Sequence, residues 1–362
     1  MIAPKVSVIM ATYNHGPFVA EAIDSVLSQQ GVEFEFLIAD DGSSDNTRDV
    51  VAEFQDRRIR FFPNKVNRGA CIVTNELIEK SRGEYIALIN SDDAWVKDKL
   101  RYQVGILDEN PSIGASFGRA AFVDREGQPI DKRTLSYGAV FDQENRSSAL
   151  WLRRFFVTGN CLCHPTILIR RRCYEELGTY SNRLRQLPDF DMWIRLAKRY
   201  ELNVSDRELI KFRILPGENA SSQTMVNGIR TMNEHFLIAD TFFDGVTRDH
   251  LLEGFLDILT IKDIPTAQHL DIEKALLFFA YNQWLERPYK VIGLLQMSRL
   301  LSSPPHHKVL LDSYGIDDRW FQREMGEVDV LRPKMAAAAQ YSKSVAQGAL
   351  RKFLVLWSRR SH

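Results

Sequence analysis

Two pairs of adjacent aspartates occur just after short apolar runs in this 362-residue sequence: Asp40-Asp41 directly, and Asp92-Asp93 after Asn90 and Ser91. Neighbouring carboxylates repel each other and stay ionised only beside a cation, a strong hydrogen-bond donor or water. Clustered carboxylates without a local excess of Lys or Arg suit a hard divalent cation, which predicts Mg²⁺ or Mn²⁺. Because such ions usually bridge to substrate phosphates, the predicted ligand is a metal-bound nucleotide.

Each aspartate pair also has a purely structural interpretation. Residues 40–43 (DDGS) have the composition of a turn and helix cap, and Asp92-Asp93 can cap a helix that follows Trp95. A third polar segment, residues 11–14 (ATYN), follows another apolar run. Its Tyr13 can stack on a planar base or belong to the core. The three segments favour a site over isolated turns if the fold brings them together.

The elements predicted around these segments do bring them together. Strands are predicted at 6–10, 34–39, 59–62 and 85–90, and helices at 18–27, 46–55 and 70–81. This alternation implies an α/β fold with a mostly parallel central sheet and helices on both faces. Ligands of such sheets gather outside the carboxyl ends of the strands, so the three polar segments are expected on one rim.

After residue 96 the pattern becomes more mixed, and from about residue 225 it is helical. Helices are predicted at 96–109, 147–156 and 190–200, strands at 113–117, 166–170 and 209–214, and a tight hairpin turn at 124–129. We therefore predict three regions: an α/β domain at 1–220, a helical region at 221–330 and a tail helix at 331–362.

The predicted tail helix is basic and amphipathic. Residues 331–362 contain seven Lys or Arg and no Asp or Glu, while Leu350, Leu354 and Trp357 share one helix face. This pattern is typical of a helix lying on a membrane surface. The alternative is that the tail docks on its own protein or on a second subunit, which leaves a homo-oligomer open.

Composition excludes several other classes. The 47 basic and 47 acidic residues balance, so nothing indicates a nucleic-acid partner. Four cysteines in a chain this long do not form a disulfide framework, and Cys161-x-Cys163 lacks the second pair of a zinc site. No run of roughly 18 apolar residues occurs. The expected location is the cytoplasm, with peripheral contact at the inner face of the plasma membrane through the tail.

Two common phosphate-binding motifs are missing from the sequence. It contains no G-x-x-x-x-G-K-[ST], and no G-x-G-x-x-G follows the first predicted strand. Without either phosphate cradle, the metal is expected to carry much of the diphosphate charge.

Four segments together resemble the family 2 glycosyltransferases, which have the GT-A fold. They are residues 6–29, 36–47 (FLIADDGSSDNT), 67–95 and 188–199 (PDFDMWIRLAKR). The resemblance covers about residues 4–215 and omits the helical region. It implies inverting transfer of a sugar from a nucleoside-diphosphate sugar, with UDP favoured, to a hydroxyl of a glycan or lipid-linked acceptor. The implied setting is bacterial surface polysaccharide synthesis (O-antigen, capsule or lipopolysaccharide), with Mn²⁺ or Mg²⁺ as cofactor.

The resemblance also assigns roles to particular residues. It implies that Asp93 is the metal ligand and that, of the first aspartate pair, Asp41 is favoured to bind the nucleobase. Many family members have aspartate where this chain has Asn90, which puts Asn90 in doubt as a ligand. The implied nucleotide-sugar site consists of Ala11, Tyr13, Asp40, Asp41, Asn67, Arg68 and Asp92.

The catalytic base implied by the resemblance is Asp189. The family often has Glu-Asp at this point, whereas this chain has Pro188-Asp189. A carboxylate within hydrogen-bonding reach can take the proton of the acceptor hydroxyl as the new bond forms. Asp191 is the fallback. Either residue has a structural alternative, Asp189 as a helix cap and Asp191 as a charge complementing the helix dipole.

Three further residues are weaker candidates for contact with acceptor or diphosphate. His164 precedes the strand predicted at 166–170, at a position that is often polar in the family. Arg183 and Arg185 lie in the polar loop before Asp189 and can reach a diphosphate if that loop closes. A structural histidine and a solvated loop are the alternatives.

Two other functions remain open from the sequence. A sugar-nucleotide nucleotidyltransferase would share the fold and the metal, but it needs a loop rich in Gly and in Arg or Lys after the first strand. Residues 12–18 (TYNHGPF) contain neither Lys nor Arg. An inactive nucleotide-sugar-binding module is the second alternative, and the retained Asp93 and Asp189 argue against it.

Overall fold

The computed structural model describes residues 3–217, 224–281 and 283–329. The chain forms two compact units, Met1–Asp263 and Ile264–His362. The predicted basic tail at 331–362 lies outside the described residues. Of the helices within the described ranges, none is both long enough and apolar enough to cross a bilayer.

The first half of unit one alternates strands and helices, as predicted. Strands β3, β2, β1 and β4 pair in this order and are parallel to one another, and Thr12 at the end of β1 pairs with Asp40 at the end of β2. The buried face of the first helix carries Val19, Ala22, Ile23 and Val26. The bounds are β1 Val6–Thr12, α1 Val19–Leu27, β2 Phe34–Asp40, α2 Thr47–Ala52, β3 Ile59–Pro63, α3 Ala70–Lys80 and β4 Tyr85–Leu88.

The second half of unit one extends the same sheet with three antiparallel pairs and one parallel pair, β6–β8. The sheet order is β3-β2-β1-β4-β7-β6-β8-β5, and the pairs β4–β7, β7–β6 and β8–β5 are antiparallel. The sheet is therefore mixed, and the polar segments follow the strands of its parallel run β3-β2-β1-β4. The bounds are β5 Ala94–Trp95, α4 Lys99–Glu109, β6 Ile113–Val123, α5 Ser148–Thr158, β7 Leu168–Arg170, α6 Arg171–Leu177, α7 Pro188–Ala197 and β8 Glu201–Arg213.

Two elements differ from their predicted bounds for identifiable reasons. The helix predicted from residue 96 begins at Lys99, because Ala94–Trp95 pairs with β8 and Asp98 adopts a left-handed conformation with φ 63°. Strand β8 begins at Glu201 rather than 209. Its middle residues 206–208 are exposed and charged, so the pattern hides a strand that stays paired to β6 through register shifts.

The helical part of the chain is divided between the two units. Helices α8 (Met225–Asp240) and α9 (Arg248–Phe255) belong to unit one, whose compact region thus extends beyond the boundary we predicted at 220. Unit two contains α10 (Ala267–Ala280), α11 (Glu286–Leu301), α12 (Pro304–Val309) and α13 (Asp318–Glu327). It has its own core around Ile272, Ala275, Met297 and Leu310. The predicted helical C-terminal region is confirmed.

Candidate active site

The three polar segments lie at one edge of the parallel part of the sheet. The adjacent strands β1, β2 and β4 all end there. The backbone N–H of Asp41 donates to the carbonyl of Thr12 (2.8 Å), which joins the first two segments. His15 Nδ1 lies 2.7 Å from the hydroxyl of Ser91, which joins the first to the third. The sequence did not single out His15.

Asp40 organises the turn after β2. Its buried carboxylate accepts hydrogen bonds from the backbone N–H groups of Gly42 (3.2 Å) and Ser43 (3.1 Å) and from Arg48 Nε (2.6 Å). All three bonds go to Oδ2. Among the described residues, neither Asp40 Oδ1 nor the buried hydroxyl of Thr12 has a hydrogen-bond partner. The structural interpretation therefore accounts for one oxygen of Asp40 and leaves the other available.

Asp41 holds the loop that precedes α3. Its two carboxylate oxygens accept hydrogen bonds from the backbone N–H groups of Arg68 and Gly69, both at 2.8 Å. Gly42 makes this approach possible, because a Cβ there would lie 2.5 Å from the carbonyl carbon of Val66. The structure thus brings the aspartate turn and the predicted Asn67-Arg68 loop together.

Asp93 is a buried carboxylate held by two donors. Its oxygens accept hydrogen bonds from the backbone N–H of Arg213 (2.9 Å) and from Asn90 Nδ2 (3.0 Å). Burial and the neighbouring charge of Asp92 raise the pKa of Asp93 well above its usual value. Asn90 supplies a neutral donor to Asp93, whereas an aspartate at position 90 would add a third negative charge.

Arg213, at the end of β8, holds the backbone of this aspartate pair in place. Its buried guanidinium donates to the carbonyls of Asp92 (2.9 Å), Asp124 (3.0 Å) and Arg125 (2.8 Å) and pairs with Glu21. Sequence reasoning missed this residue. The only sequence feature that could have revealed it is an arginine near the apolar end of the strand predicted at 209–214.

The residues present fit a divalent cation that shares its ligands with a substrate. Within the described ranges, no cluster of three or more His, Cys, Asp or Glu could hold a metal ion. Mg²⁺ and similar ions are commonly held by one or two carboxylates together with phosphate oxygens and water. Asp92 and Asp93 offer two such carboxylates, both buried at this edge of the sheet.

Asp189 lies in the first turn of α7 and is part-buried. Its carboxylate accepts hydrogen bonds from Asn160 Nδ2 and from the backbone N–H of Phe190, both at 2.8 Å. Burial and the charges of Asp93 and Asp189 together raise the pKa of the Cys163 thiol well above its usual value. The charges of both aspartates thus act on the same buried thiol, although 96 positions separate them in the sequence.

Asp191 is engaged in a structural ion pair. Arg195 Nη2 lies 2.9 Å from its carboxylate, and the same guanidinium donates to the carbonyls of Leu177, Gly178 and Thr179. Asp191 thus fixes the arginine that closes the end of α6. Of the two predicted bases, Asp189 is the one without a charged partner among the described residues.

His164 belongs to a row of buried hydroxyl groups. Its Nε2 lies 2.9 Å from the hydroxyl of Tyr180, which in turn lies 2.8 Å from that of Tyr174. Its ring packs edge-on against Trp193, with centroids 5.5 Å apart. Burial lowers the pKa of His164, while the charge of Asp189 opposes that shift. His164 thus packs against the helix that carries the predicted base, and its role toward the acceptor stays a prediction.

The loop before Asp189 is held by a residue that the sequence did not reveal. The buried carboxylate of Glu234, on α8, accepts hydrogen bonds from the backbone N–H groups of Arg185 (2.9 Å), Gln186 (2.8 Å) and Leu187 (2.8 Å). The side chains of Arg183 and Arg185 are exposed. No local pattern links a loop residue to a helix about fifty positions later.

Comparison with known proteins decides the family. The model of "Glycosyl transferase family 2" matches residues 7–178. The putative teichuronic acid biosynthesis glycosyltransferase TuaG of Bacillus subtilis is 37% identical over 199 residues, which are 54% of this chain and 73% of TuaG. The chain belongs to glycosyltransferase family 2. This assignment confirms the predicted enzyme class and favours it over a nucleotidyltransferase.

One further protein is similar in sequence and one solved structure is similar in fold. The Escherichia coli protein WfgD, named as a UDP-Glc:alpha-D-GlcNAc-diphosphoundecaprenol beta-1,3-glucosyltransferase, is 40% identical over 37% of this chain and 54% of its own. The crystal structure of S. aureus TarS 1-349 with UDP-GlcNAc shares the fold, with TM-score 0.55, 18% identity and 81% of each chain covered. The first curated relatives are matched over 34% to 75% of their own length.

Proposed function

We propose that this glycosyltransferase moves a sugar from a nucleoside-diphosphate sugar, with UDP favoured, to an acceptor hydroxyl and inverts the anomeric centre. The observation that carries the proposal is the meeting of the three polar segments at the ends of β1, β2 and β4, with the buried carboxylate of Asp93 among them. Asp93 would bind the phosphates through a cation, and Asp189, whose charge acts with that of Asp93 on the Cys163 thiol, would accept the proton of the acceptor. Such an arrangement needs no covalent enzyme nucleophile, because the acceptor itself attacks opposite to the leaving diphosphate.

Asp189 acts as the base in this proposal. Asn160 fixes one of its oxygens at 2.8 Å, and the N–H of Phe190 fixes the other. Each oxygen retains a lone pair for the proton of an acceptor hydroxyl. The absence of a charged partner among the described residues keeps the carboxylate from being neutralised by an arginine, as Asp191 is.

The proposed nucleotide site lies along the ends of β1 and β2. Asp41 and the Asn67-Arg68 loop would face the nucleobase, together with Ala11 and the exposed ring of Tyr13. Asp40 contributes its unpaired oxygen or only the turn. Asp92 would face the ribose or the sugar.

Asp93 would hold a divalent cation, Mn²⁺ or Mg²⁺. When bound, such an ion supplies Lewis-acid stabilisation of the charge that develops on the leaving diphosphate. The protein's part is to keep Asp93 in place through Asn90 and Arg213 and to exclude water around it.

The proposed acceptor is a glycan or a lipid-linked sugar in bacterial surface polysaccharide synthesis. The support comes from the names of TuaG and WfgD, which refer to teichuronic acid and to a diphosphoundecaprenol-linked sugar. A cytoplasmic location, membrane contact through the tail and a homo-oligomer stay predictions.

A panel of UDP-, GDP- and TDP-sugars, with and without Mn²⁺, tests the donor through thermal stabilisation and metal-dependent hydrolysis. Asp93→Ala should remove the metal-dependent effect. Asp189→Asn should retain donor binding and lower turnover by about a hundredfold or more, since a base contributes about that much. Asp191→Asn is the matched control. Loss of turnover in Asp191→Asn alone would show that the base is misassigned.

A further inference from the structure

A depression of about 390 Å³ lies between α8 and the loop that leads to Asp189. It is entirely within unit one. Its lining combines three arginines with apolar side chains and one carboxylate: Arg183, Arg185, Arg230, Val226, Ile229 and Glu234. The nucleotide site proposed above uses none of these residues.

The depression keeps a net positive charge. Neither Arg183 nor Arg185 forms an ion pair within the described part of the chain, and Arg230 is bonded only to the neutral side chain of Asn227 (3.1 Å). The single carboxylate, Glu234, is already bonded to three backbone N–H groups of the loop. Three guanidinium groups around one depression suit a multiply charged anion such as a diphosphate.

An exposed apolar face on α8 continues from this basic depression. Met225, Val226, Ile229 and Leu237 follow one another at helical spacing, and their exposed fractions are 84%, 62%, 58% and 60%. Exposed apolar surface beside a charged pocket indicates a ligand with both an anionic and an apolar part. A soluble nucleotide sugar has no apolar part of this kind.

The depression also lies next to the proposed base. Glu234 binds the N–H groups at 185–187, and the chain continues directly into Pro188 and Asp189. The ring of His235, the next residue on α8, packs against Phe190 with centroids 5.3 Å apart. A ligand held by the arginines is thus on the side of the base, where the acceptor must enter.

We propose that this surface binds a polyprenyl-diphosphate-linked acceptor. The arginines hold its diphosphate, the face of Met225, Val226, Ile229 and Leu237 supports the first isoprene units, and the linked sugar reaches toward Asp189. The inference rests on the proposed function and specifies its acceptor. It assigns the arginines to the acceptor diphosphate rather than to the donor.

Farnesyl diphosphate is a suitable probe, with farnesol and inorganic pyrophosphate as its two halves. In EDTA, the full chain should bind farnesyl diphosphate about tenfold or more tighter than either half, by calorimetry. Arg183→Ala/Arg185→Ala should weaken that binding about tenfold or more, since each charged hydrogen bond contributes about 1.5–3 kcal/mol. Ile229→Ser should weaken the binding of farnesyl diphosphate and leave the binding of pyrophosphate unchanged.

Matched controls carry the same changes elsewhere. Arg57→Ala removes an exposed arginine, and Leu295→Ser an apolar side chain 47% exposed on α11; neither should alter binding. Equal binding of all three probes, or equal losses in variants and controls, would overturn the proposal. So would loss of farnesyl diphosphate binding in Asp93→Ala, because the probe would then occupy the donor site.

Two further measurements separate the alternatives. The donor should stabilise the double arginine variant against heat as much as it stabilises the wild-type protein. If the wild-type protein binds farnesyl diphosphate but no donor, that result counts against the proposed function and not against the acceptor surface. Vesicles of phosphatidylcholine and phosphatidylglycerol test a general membrane contact. If the double arginine variant no longer binds these vesicles but keeps its affinity for farnesyl diphosphate, the surface is a general membrane contact and the acceptor proposal is wrong.

Discussion

At the scale of single residues, neutral donors and one arginine determine how the buried carboxylates of this protein are tolerated. Asn90 and the N–H of Arg213 each bind an oxygen of Asp93. A third carboxylate at position 90 would remove one donor and add repulsion. The neutral residue at this position is therefore consistent with a stable site before any cation binds.

Lys99 is a buried cation that carries a pH prediction. Burial lowers the pKa of Lys99 to about 7, and the side chain is held by Gln103 Oε1 at 2.8 Å and lies over the ring of Trp95, 4.2 Å from its centroid. Below pH 7 the folded protein must bury the charged form. Between pH 7 and the unfolded pKa of about 10.4, the unfolded state binds more protons, so stability rises with pH.

We expect Lys99→Met to raise the free energy of unfolding at pH 6 by about 1–3 kcal/mol and to raise it less at pH 9. Urea unfolding at the two pH values measures this difference. Lys97→Met, at a position that is not buried, is the control and should show no pH-dependent gain. If Lys99→Met raised the free energy of unfolding equally at both pH values, the lowered pKa of Lys99 would be contradicted.

At the scale of elements, the turn after β2 and the loop before α3 act as one unit. Asp41 binds the loop through two N–H groups, and Gly42 (φ 80°) lets the backbone at Val66 approach. The predicted nucleotide residues on these two segments depend on that contact. A substitution in the turn after β2 should therefore also change the conformation of the loop before α3.

Gly42→Ala tests this dependence against a matched glycine. The added Cβ would meet the Val66 backbone at 2.5 Å, whereas Gly178 has the same φ of 80° and nothing within 4 Å. Both variants should lose about 1 kcal/mol from backbone strain. Only Gly42→Ala should also weaken UDP binding, by about tenfold, as measured by calorimetry. Equal affinities in the two variants would show that the loop does not form the nucleotide site.

At the scale of the whole molecule, unit one is completed by helices that lie beyond the α/β pattern. Phe156 on α5 packs against Phe242, Phe243 and Phe255, with ring centroids 4.9 to 6.0 Å apart. Arg153 pairs with Asp257, two residues after the end of α9. The α/β domain therefore buries part of its own surface under α8 and α9.

A fragment of residues 1–263 is expected to unfold in one cooperative transition, whereas a fragment of residues 1–220 should aggregate or melt at lower temperature. The shorter fragment loses the packing around Phe156, where removal of one large aromatic costs about 3–5 kcal/mol. Differential scanning calorimetry of both fragments makes the comparison. Equal stability would support the boundary that we predicted at residue 220.

The sequence by itself determined the elements and the edge of the sheet where the site lies. Alternating apolar runs and polar turns are local patterns, so the three strands were predicted to within two residues of their observed ends at Thr12, Asp40 and Leu88. Parallel pairing then placed the polar segments that follow them on one rim. The resemblance added candidate roles for Asp93 and Asp189. Nothing local distinguished Asp189 from Asp191, because both occupy the first turn of one helix.

Only the tertiary structure decided which partners these carboxylates have. Arg213 reaches Asp93 across 120 positions, Glu234 reaches Leu187 across 47, and Asn160 reaches Asp189 across 29. Such contacts depend on how distant elements pack. The local sequence around an arginine, a glutamate or an asparagine does not indicate which distant residue its side chain will contact. The same reason explains the basic surface beside α8, because its arginines come from a loop and a helix that meet only in the folded chain.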